Sequence, residues 1–283
     1  MKDITIRRSV LIAPGSDDRK VRKALASHAD EVILDLEDAV AVSNKVQARE
    51  FVRHLMVETE RVGSISVRIN GLDTPWAHDD LAMCATAPRL TSVIVPKTET
   101  GLDLEMVSEA LKGTSVGIQA LVETPRGVQN VARLSAATER LEALVLGYAD
   151  LGAALGRSRS SPPEQWLSMQ DAVLVAARVA GIAAIDGPNL GVENDASFER
   201  SCTWIRSLGF DGKWVIHPRQ VDTVMTTFTP SENAVDEARR ILQTLSDAAE
   251  LGTGAVQLDG QMLDEALAVA ARRTLARAGG FRS

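Results

Sequence analysis

Short apolar runs recur along the chain and alternate with stretches of helical spacing. Eight runs rich in Val and Ile lie at residues 9–14, 31–36, 65–69, 92–96, 118–122, 143–146, 181–185 and 213–216. Runs of this kind are typical of strands that are covered on both faces, as in a parallel sheet. Between them, apolar spacing predicts helices, most clearly over residues 18–28, 45–57, 103–111, 127–134, 164–179 and 197–207. The alternation predicts an α/β fold.

The polar residues that close successive strands favour a closed barrel. They lie about 30 residues apart, which is the length of one strand–helix unit in an eightfold barrel. They are Asp38, Arg68, Lys97, Glu123, Asp150, Asp186 and His217. An open doubly wound sheet would also alternate, but the sequence lacks its glycine-rich dinucleotide fingerprint. We therefore predict a (β/α)8 TIM barrel over residues 1–228 with a C-terminal helical extension over residues 229–283.

Two segments outside the regular alternation have alternative interpretations. The extension is predicted to hold a helix over residues 231–250, a turn-rich segment over residues 252–260 and a final helix over residues 262–277. It either packs as an appendage or reaches over a neighbouring subunit. Residues 156–163, rich in Ser, Arg and Pro, form either a plain surface loop or an active-site lid.

The composition is that of an acidic globular protein, with 45% hydrophobic residues, 24% charged residues and a net charge of −7. This charge and the few aromatic residues (4%) disfavour nucleic-acid binding. Cys84 and Cys202 form no metal or disulfide pattern, which is typical of a reducing cytosol. The apolar run after Arg8 is too short for a signal peptide, and residues 172–185 are too short for a membrane span. We therefore expect a cytoplasmic protein with no membrane or nucleic-acid partner.

Charged residues gather where the predicted strands end, at the face that carries catalysis in a barrel. We call the end of the barrel formed by the carboxyl ends of the strands its mouth. Carboxylates that lie close together there repel each other unless a cation binds between them, so the cluster predicts a divalent metal. Oxygen ligands suit Mg²⁺ best. Glu123 and Asp150 end neighbouring strands and are the preferred ligand pair, although both are alternatively structural ion-pair residues. The cluster comprises the acids Asp35, Glu37, Asp38, Glu123, Asp150 and Asp186 with the cations Arg68 and Lys97.

Alternation along the second strand separates the roles of neighbouring acids. Asp35 is expected to face the barrel interior and Glu37 the mouth, because side chains alternate along a strand. One of these acids is expected to pair with Arg68 or Lys97. His217, which precedes Pro218, is either a hydrogen-bonded corner or a catalytic imidazole.

Three segments have the form of anion sites. One is residues 124–127, which start a helix with Pro125 near its first turn. Residues 147–152 pass from a strand into a helix, so the backbone N–H groups near Ala149 and Asp150 are expected to bind a substrate carboxylate. Pro14 begins a loop that leads into a basic helix start. That loop either contacts the phosphates of a substrate or lies free in solvent.

These motifs together resemble the citrate lyase beta-subunit family, within the wider aldolase and citrate lyase superfamily. The resemblance spans nearly the whole chain in the family's order. The matching stretches are residues 8–15 (RSVLIAPG), 34–40 (LDLEDAV), 67–70 (VRIN), 96–97 (PK), 122–127 (VETPRG), 147–152 (GYADLG), 184–186 (AID) and 209–218 (GFDGKWVIHP).

The resemblance implies a Mg²⁺-dependent barrel enzyme that handles acyl-CoA thioesters of hydroxy acids. It implies that Glu123 and Asp150 hold the metal and that Arg68 binds the carboxylate of the oxo acid. It also implies that Glu37 and Asp38 organise the waters around the metal.

The stand-alone members that the chain resembles cleave citramalyl-CoA or malyl-CoA and assemble as trimers or hexamers. Their C-terminal segment carries a catalytic Asp into a neighbouring subunit's site, and the matching residue here is Asp264. The sequence departs from the family at Ser16, Asp17 and Asp18, where relatives often have Asn or Asp followed by Pro. The contacts to the CoA phosphates are therefore not carried over.

We expect a lyase that splits a 3-hydroxyacyl-CoA into acetyl-CoA and a 2-oxo acid, pyruvate or glyoxylate, by a retro-Claisen step. Three alternatives stay open: a CoA-independent class II 2-keto-3-hydroxy acid aldolase, a malyl-CoA thioesterase or malate synthase activity, and a non-catalytic subunit of a citrate lyase complex.

Overall fold

A closed barrel of eight parallel strands forms the centre of the computed structural model, which describes residues 5–158, 161–250 and 256–279. Each strand pairs with the next along the chain, and the eighth pairs with the first. The predicted barrel with a C-terminal helical extension is therefore confirmed. The barrel strands are β1 (Ser9–Pro14), β2 (Glu31–Asp35), β3 (Ser64–Arg68), β4 (Ser92–Val95), β5 (Gly117–Val122), β6 (Leu141–Leu146), β7 (Ala183–Asp186) and β8 (Gly212–Val215).

Helices follow the strands and lie between them in sequence. Every predicted strand coincides with an observed strand to within two residues at each end. The helices are α1 (Asp18–Leu25), α2 (Lys45–Glu58), α3 (Ala77–Cys84), α4 (Gly101–Ala110), α5 (Pro125–Leu134), α6 (Tyr148–Leu155), α7 (Leu167–Ala180), α8 (Ala196–Leu208), α9 (Val221–Phe228), α10 (Glu232–Glu250) and α11 (Glu265–Arg277).

The chain divides into two compact units, Met1–Met225 and Thr226–Ser283. In the second unit α10 packs against α11 through Ala238, Ala271 and Leu275. The proposed domain boundary after residue 228, and the idea that the extension covers a neighbouring subunit, stay predictions.

A small hairpin in the second unit corrects the sequence interpretation. Strands β9 (Val256–Leu258) and β10 (Gln261–Leu263) are joined by Asp259 and Gly260, both with positive φ (52° and 83°). An Asp-Gly pair favours this two-residue turn, so the final helix starts at Glu265 and not at residue 262. Residues 252–255 of the predicted turn segment, and residues 159 and 160 of the predicted lid, lie outside the described residues.

The barrel interior is layered. Its middle is apolar, with fully buried side chains contributed by seven of the strands. Asp35 and Arg68 lie above this layer, towards the carboxyl ends of the strands, where they stand opposite each other in the β2–β3 register. The apolar layer comprises Val10, Ile33, Ile94, Leu121, Ala143, Val145, Ala183, Ile185 and Trp214, with the partly buried Ile12 packed against it.

A buried polar network closes the opposite end of the barrel. Arg7 donates to Glu31 (2.6 Å) and to Glu142 (2.5 Å), and both Arg7 and Glu31 have side chains at most 1% exposed. Gln119 also donates to Glu31 (2.6 Å). Because a buried charge without its partner is strongly destabilising, this network makes the lower end of the barrel intolerant of single substitutions.

Two other expectations concern the cysteines and the membrane. Cys84 and Cys202 are both free and buried. Within the ranges that the structure covers, no helix has both the length and the apolar character needed to cross a bilayer.

Arg7→Met is expected to destabilise the protein by about 3–5 kcal/mol, because it leaves Glu31 buried without its cation. Equilibrium urea unfolding measures the loss. Arg22→Met is the matched control, since Arg22 pairs with Asp18 at 2.6 Å on the exposed surface of α1 and such pairs contribute little. Equal losses in the two variants would contradict the importance of the buried network.

Candidate active site

The carboxyl ends of β2 to β6 bring most of the predicted charged residues into one cluster. Ion pairs and one backbone hydrogen bond connect them. The members are Glu37, Asp38, Arg68, Lys97, Glu123 and Asp150. These residues come from five different strand ends, so only closure of the barrel makes them neighbours.

Asp35 and Arg68 form the base of this cluster. The guanidinium donates from Nε and Nη2 to the two carboxylate oxygens, both at 2.7 Å, and Asp35 is fully buried. The same carboxylate accepts the backbone N–H groups of Glu37 (2.9 Å) and Ala39 (3.1 Å). Burial alone would lower the pKa of Arg68, but Asp35 and Glu37 outweigh it and the pKa is raised. Arg68 is therefore a permanent, rigidly held cation.

Glu37 follows β2 and is held by cations on two sides. Its carboxylate lies 2.9 Å from Arg68 Nη1 and 2.5 Å from Lys97 Nζ. Burial raises its pKa despite these cations. Lys45, at the start of α2, donates to the backbone carbonyls of Leu36 (2.8 Å) and Glu37 (2.6 Å). The backbone of the Glu37 loop is therefore fixed by a buried ammonium that the sequence interpretation had not included.

Lys97 sits at the centre of the cluster. Its ammonium lies 3.5 Å from Asp150 and 3.6 Å from Asp38, in addition to its contact with Glu37. Its backbone has a φ of 48°, in the left-handed region that costs a non-glycine residue about 1–2 kcal/mol. That conformation lets the Lys97 N–H donate to Glu123 Oε1 (2.9 Å). Strain of this kind collects at functional sites, where the surrounding structure maintains it.

Glu123 is the residue whose charge is least compatible with its surroundings. It follows β5 and is 4% exposed. Gly147 packs directly against it, since a Cβ there would come within 2.7 Å of Glu123 Oε2. Burial and the nearby Glu37 carboxylate raise the pKa of Glu123 to about 8. An additional positive charge beside Glu123 would therefore favour its ionised form near neutral pH.

Asp150 lies in the first turn of α6, one residue after Ala149. The helix begins at Gly147 without a side-chain cap, so the N–H groups of its first turn are not satisfied by a capping side chain. Helix starts of this kind attract carboxylates.

Pro14, the last residue of β1, stands opposite Asp35 in the β1–β2 register. The next residue, Gly15, donates its N–H to the Asp35 carbonyl (2.7 Å), so the loop after Pro14 starts at the base of the cluster.

Two predicted candidates do not join this cluster, and the role of a third, Asp264 in the second compact unit, stays a prediction. Asp186 was expected in the mouth, which is wrong: it pairs with Lys213 and Tyr148 in the layer between sheet and helices. It follows the inward-facing Ile185, so alternation turns it outward. His217 accepts the Arg219 N–H (3.2 Å) and caps a short 3-10 helix, which matches the structural corner. Asp264 is exposed and caps α11 by accepting the Leu267 N–H (3.0 Å).

The donor set fits a hard dication held partly by the protein. Glu123 and Asp150 offer carboxylate oxygens, and Mg²⁺ is usually held by one or two carboxylates together with waters and substrate. In the parts of the chain that the structure covers, no group of three or more acidic, His or Cys side chains is arranged to hold a metal. A dication would supply the positive charge that Glu123 lacks, so the residues fit the ion with substrate or water completing its shell.

A family model described as HpcH/HpaI aldolase/citrate lyase matches residues 8–218. The chain belongs to this family. The match includes all eight barrel strands and every member of the charged cluster.

Two curated relatives of this aldolase and citrate lyase family align over nearly the full chain. The (3S)-malyl-CoA thioesterase of Cereibacter sphaeroides is 36% identical, over 96% of this chain and 94% of its own. Citrate lyase subunit beta of Escherichia coli (strain K12) is also 36% identical, over 96% of this chain and 93% of its own.

A solved structure agrees with the family assignment. Protein CitE from Mycobacterium tuberculosis, in complex with magnesium, acetoacetate and coenzyme A, is 31% identical and superimposes with a TM-score of 0.77. The superposition covers 97% of this chain and 98% of that chain.

Glu123→Gln is expected to stabilise the metal-free protein above about pH 5. In the unfolded chain Glu123 ionises near its ordinary pKa of 4.5, but in the folded chain it keeps its proton up to about 8. The wild-type protein therefore loses stability as pH rises from 4.5 to 8, whereas the neutral Gln does not. The gain is largest above pH 8, where it is on the order of 5 kcal/mol, since one pKa unit corresponds to about 1.4 kcal/mol.

Urea unfolding in EDTA at several pH values measures this difference. Glu109→Gln, on the exposed surface of α4, is the control and is expected to show no pH-dependent gain. If the stability of Glu123→Gln relative to wild type did not change between pH 5 and pH 9, the buried state of the Glu123 carboxyl would be wrong.

Proposed function

We propose that this chain is a Mg²⁺-dependent carbon–carbon lyase. Its substrate is a 3-hydroxyacyl-CoA of the citramalyl-CoA or malyl-CoA type, and its products are acetyl-CoA and a 2-oxo acid, pyruvate or glyoxylate. The observation that carries the proposal is the set of carboxylates around Arg68 and Lys97, in which the raised pKa of the buried Glu123 favours binding of a further cation. Membership of the aldolase and citrate lyase family supports it.

In this proposal Glu123 and Asp150 hold Mg²⁺, as the CitE complex with magnesium suggests by analogy. When bound, the ion lowers the pKa of the substrate hydroxyl and draws electron density from the adjacent carboxylate, which contributes several kcal/mol of barrier lowering. Glu37 and Asp38 hold the waters that complete its shell. Glu37 suits this role because Lys45 fixes its backbone and Arg68 and Lys97 fix its carboxylate.

Arg68 binds the carboxylate of the oxo-acid half of the substrate. Its Nε and Nη2 are used by Asp35, so its orientation does not depend on the substrate. A preorganised cation of this kind strengthens binding because little freedom is lost when the substrate arrives. The uncapped amides near Ala149 and Asp150 help to hold the same carboxylate, and the loop after Pro14 contacts the CoA portion.

The proton on the substrate hydroxyl is removed by Asp264 of a neighbouring copy in a homotrimer or hexamer. Loss of this proton makes the hydroxyl oxygen a carbonyl of the leaving oxo acid, and the electrons of the broken C–C bond pass to the thioester enolate. The enolate then takes back the proton held by Asp264 and becomes acetyl-CoA, and in the reverse direction Asp264 removes that α-proton. We propose that this reaction takes place in the cytoplasm, where thiols such as those of Cys84 and Cys202 stay reduced.

A second candidate is hydrolysis of malyl-CoA. It is favoured by one observation, the 36% identity to the (3S)-malyl-CoA thioesterase over nearly the whole chain. The same mouth would then serve both reactions, with water attacking the thioester carbonyl and CoA leaving as the thiol.

Purified protein with Mg²⁺ and malyl-CoA or citramalyl-CoA is expected to yield acetyl-CoA and an equal amount of glyoxylate or pyruvate. Mass spectrometry of both products measures the ratio. Glu123→Gln is expected to abolish product formation and the thermal shift caused by Mg²⁺, whereas Glu109→Gln keeps both.

Each alternative outcome has its own product pattern. Free CoA and a hydroxy diacid without oxo acid would indicate a thioesterase. Cleavage of a 2-keto-3-hydroxy acid without CoA would indicate an aldolase. Activity that appears only after addition of partner subunits would indicate a citrate lyase component.

Asp264→Asn is expected to lower kcat about 10²- to 10⁴-fold with little change in KM, because it removes a general base and leaves the binding groups intact. Asp259→Asn, in the hairpin that precedes Asp264, is the control, since Asp259 is exposed and pairs with Arg240 (2.6 Å). Mixing and reassembling Asp264→Asn with Glu123→Gln subunits is expected to restore part of the activity, because some sites then combine intact residues from two copies. Full turnover by Asp264→Asn alone would contradict the role.

A further inference from the structure

We propose that Tyr148 is a positioning residue that holds the first turn of α6, and with it Asp150 and the nearby amides, through a buried chain to Asp186 and Lys213. This inference rests on the proposed function, in which Asp150 is a metal ligand. Tyr148 is the single tyrosine of the sequence and lies two residues before Asp150.

The start of α6 requires an anchor from outside the helix. Gly147 caps it without a side-chain hydrogen bond, and α6 is eight residues long. A helix this short has little stability of its own. On one side the Gly147 N–H donates to the Val122 carbonyl (3.0 Å), which ties the turn to β5. On the other side Leu146 stands opposite Asp186 in the β6–β7 register, and the Tyr148 side chain reaches Asp186 there.

The Tyr148 phenol is held from two directions. Its hydroxyl donates to the Asp186 carboxylate at the end of β7, and it accepts the Gln170 side-chain N–H from α7 (3.0 Å). Gln170 in turn accepts the Trp204 indole N–H from α8 (3.1 Å). Because both hydrogen bonds of the Tyr148 hydroxyl are directional, they hold the phenol oxygen in one position.

Lys213 fixes the far end of the chain. Its ammonium pairs with Asp186 and donates to the Gly187 carbonyl (2.9 Å), and both Lys213 and Asp186 have side chains 1% exposed. Lys213 belongs to the motif at residues 209–218, to which the proposed mechanism assigns no chemistry. In the β7–β8 register it stands directly opposite Asp186.

Packing restricts the ring as well as the hydroxyl. The Tyr148 ring meets the Trp166 ring edge to face, with centroids 5.0 Å apart and an interplanar angle of 71°. On its other side lies Gly187, where a Cβ would come within 3.3 Å of the Tyr148 ring. The Tyr148 side chain therefore connects α6 rigidly to the carboxyl end of β7, beside β8.

A contribution to folding stability does not by itself explain the hydrogen-bonded chain from Tyr148 through Asp186 to Lys213. A buried ion pair such as Lys213–Asp186 is often no more stabilising than apolar side chains of the same volume. A fully bonded polar chain does, however, select one geometry among many. Metal and substrate sites need positions held within about 0.5 Å, and a small rotation of the first turn would move Asp150 relative to Glu123.

Tyr148→Phe tests the inference by deleting one hydroxyl and keeping the ring. We expect the dissociation constant for Mg²⁺, measured by calorimetry on the purified protein without substrate, to rise roughly 10-fold, as when outer partners of metal ligands are removed. We also expect KM for the acyl-CoA to rise more than kcat falls. Val173→Ala is the matched control, since Val173 is fully buried on α7 and outside the chain of hydrogen bonds. It is expected to lower the melting temperature and to leave Mg²⁺ affinity unchanged.

Each outcome decides the inference. Unchanged Mg²⁺ affinity in Tyr148→Phe, with normal binding by the wild type, would overturn it and leave the proposed function standing. Equal weakening in Val173→Ala would also overturn it, since a general loss of rigidity would then explain the result. A wild-type protein that binds no Mg²⁺ would overturn both. If Tyr148→Phe does not fold, Gln170→Met removes the second bond to the same hydroxyl and is expected to shift the affinity in the same direction.

Discussion

The buried pair of Asp35 and Arg68 is the interaction on which the charged mouth depends. One carboxylate accepts two guanidinium bonds and two backbone N–H bonds, so it fixes a cation and the loop after β2 together. An uncompensated charge at this depth would be strongly destabilising, and the four bonds remove that penalty. Arg68 is consequently held in one position before any ligand arrives.

The charge balance above this pair explains the chemistry that the site favours. Five carboxylates, those of Asp35, Glu37, Asp38, Glu123 and Asp150, lie around the three cations Arg68, Lys97 and Lys45. Burial, together with the nearby carboxylates of Glu37 and Asp150, raises the pKa of Glu123 to about 8. A dication shared with an anionic substrate relieves this imbalance, because it adds two positive charges and brings its own coordination demand.

The two polar ends of the barrel differ in how they are satisfied. At the lower end, Arg7 and Gln119 both donate to Glu31, so the buried carboxylate is paired with a cation of the protein itself. At the upper end the bonds leave Glu123 with a single donor from Lys97 and a carboxyl that resists ionisation. The apolar layer between them keeps the two networks apart. The contrast is that expected of a barrel whose lower face serves stability and whose upper face serves function.

Sequence patterns located the strands to within two residues and named all six members of the charged cluster, because hydrophobic periodicity and strand-end polarity are local properties. The sequence patterns failed where the role of a residue depends on the direction in which its side chain points. Asp186 ends a strand like the others, but strand alternation turns it towards the helices and Lys213. Lys45 and Tyr148 lie on helices, and no local pattern indicates which loop or strand their polar ends reach.

The sequence by itself determined the order of elements, the eightfold repeat, the family and the residue types at the strand ends. Only the tertiary structure decided that Asp35 pairs with Arg68. It also decided that Lys97 has a left-handed backbone and donates its N–H to Glu123, and that Asp186 pairs with Lys213 and not with the charged cluster. The physical reason is that hydrophobic periodicity depends only on residues that are close in sequence. The register between strands, and the face of the sheet on which each side chain lies, follow instead from hydrogen bonding around a closed barrel.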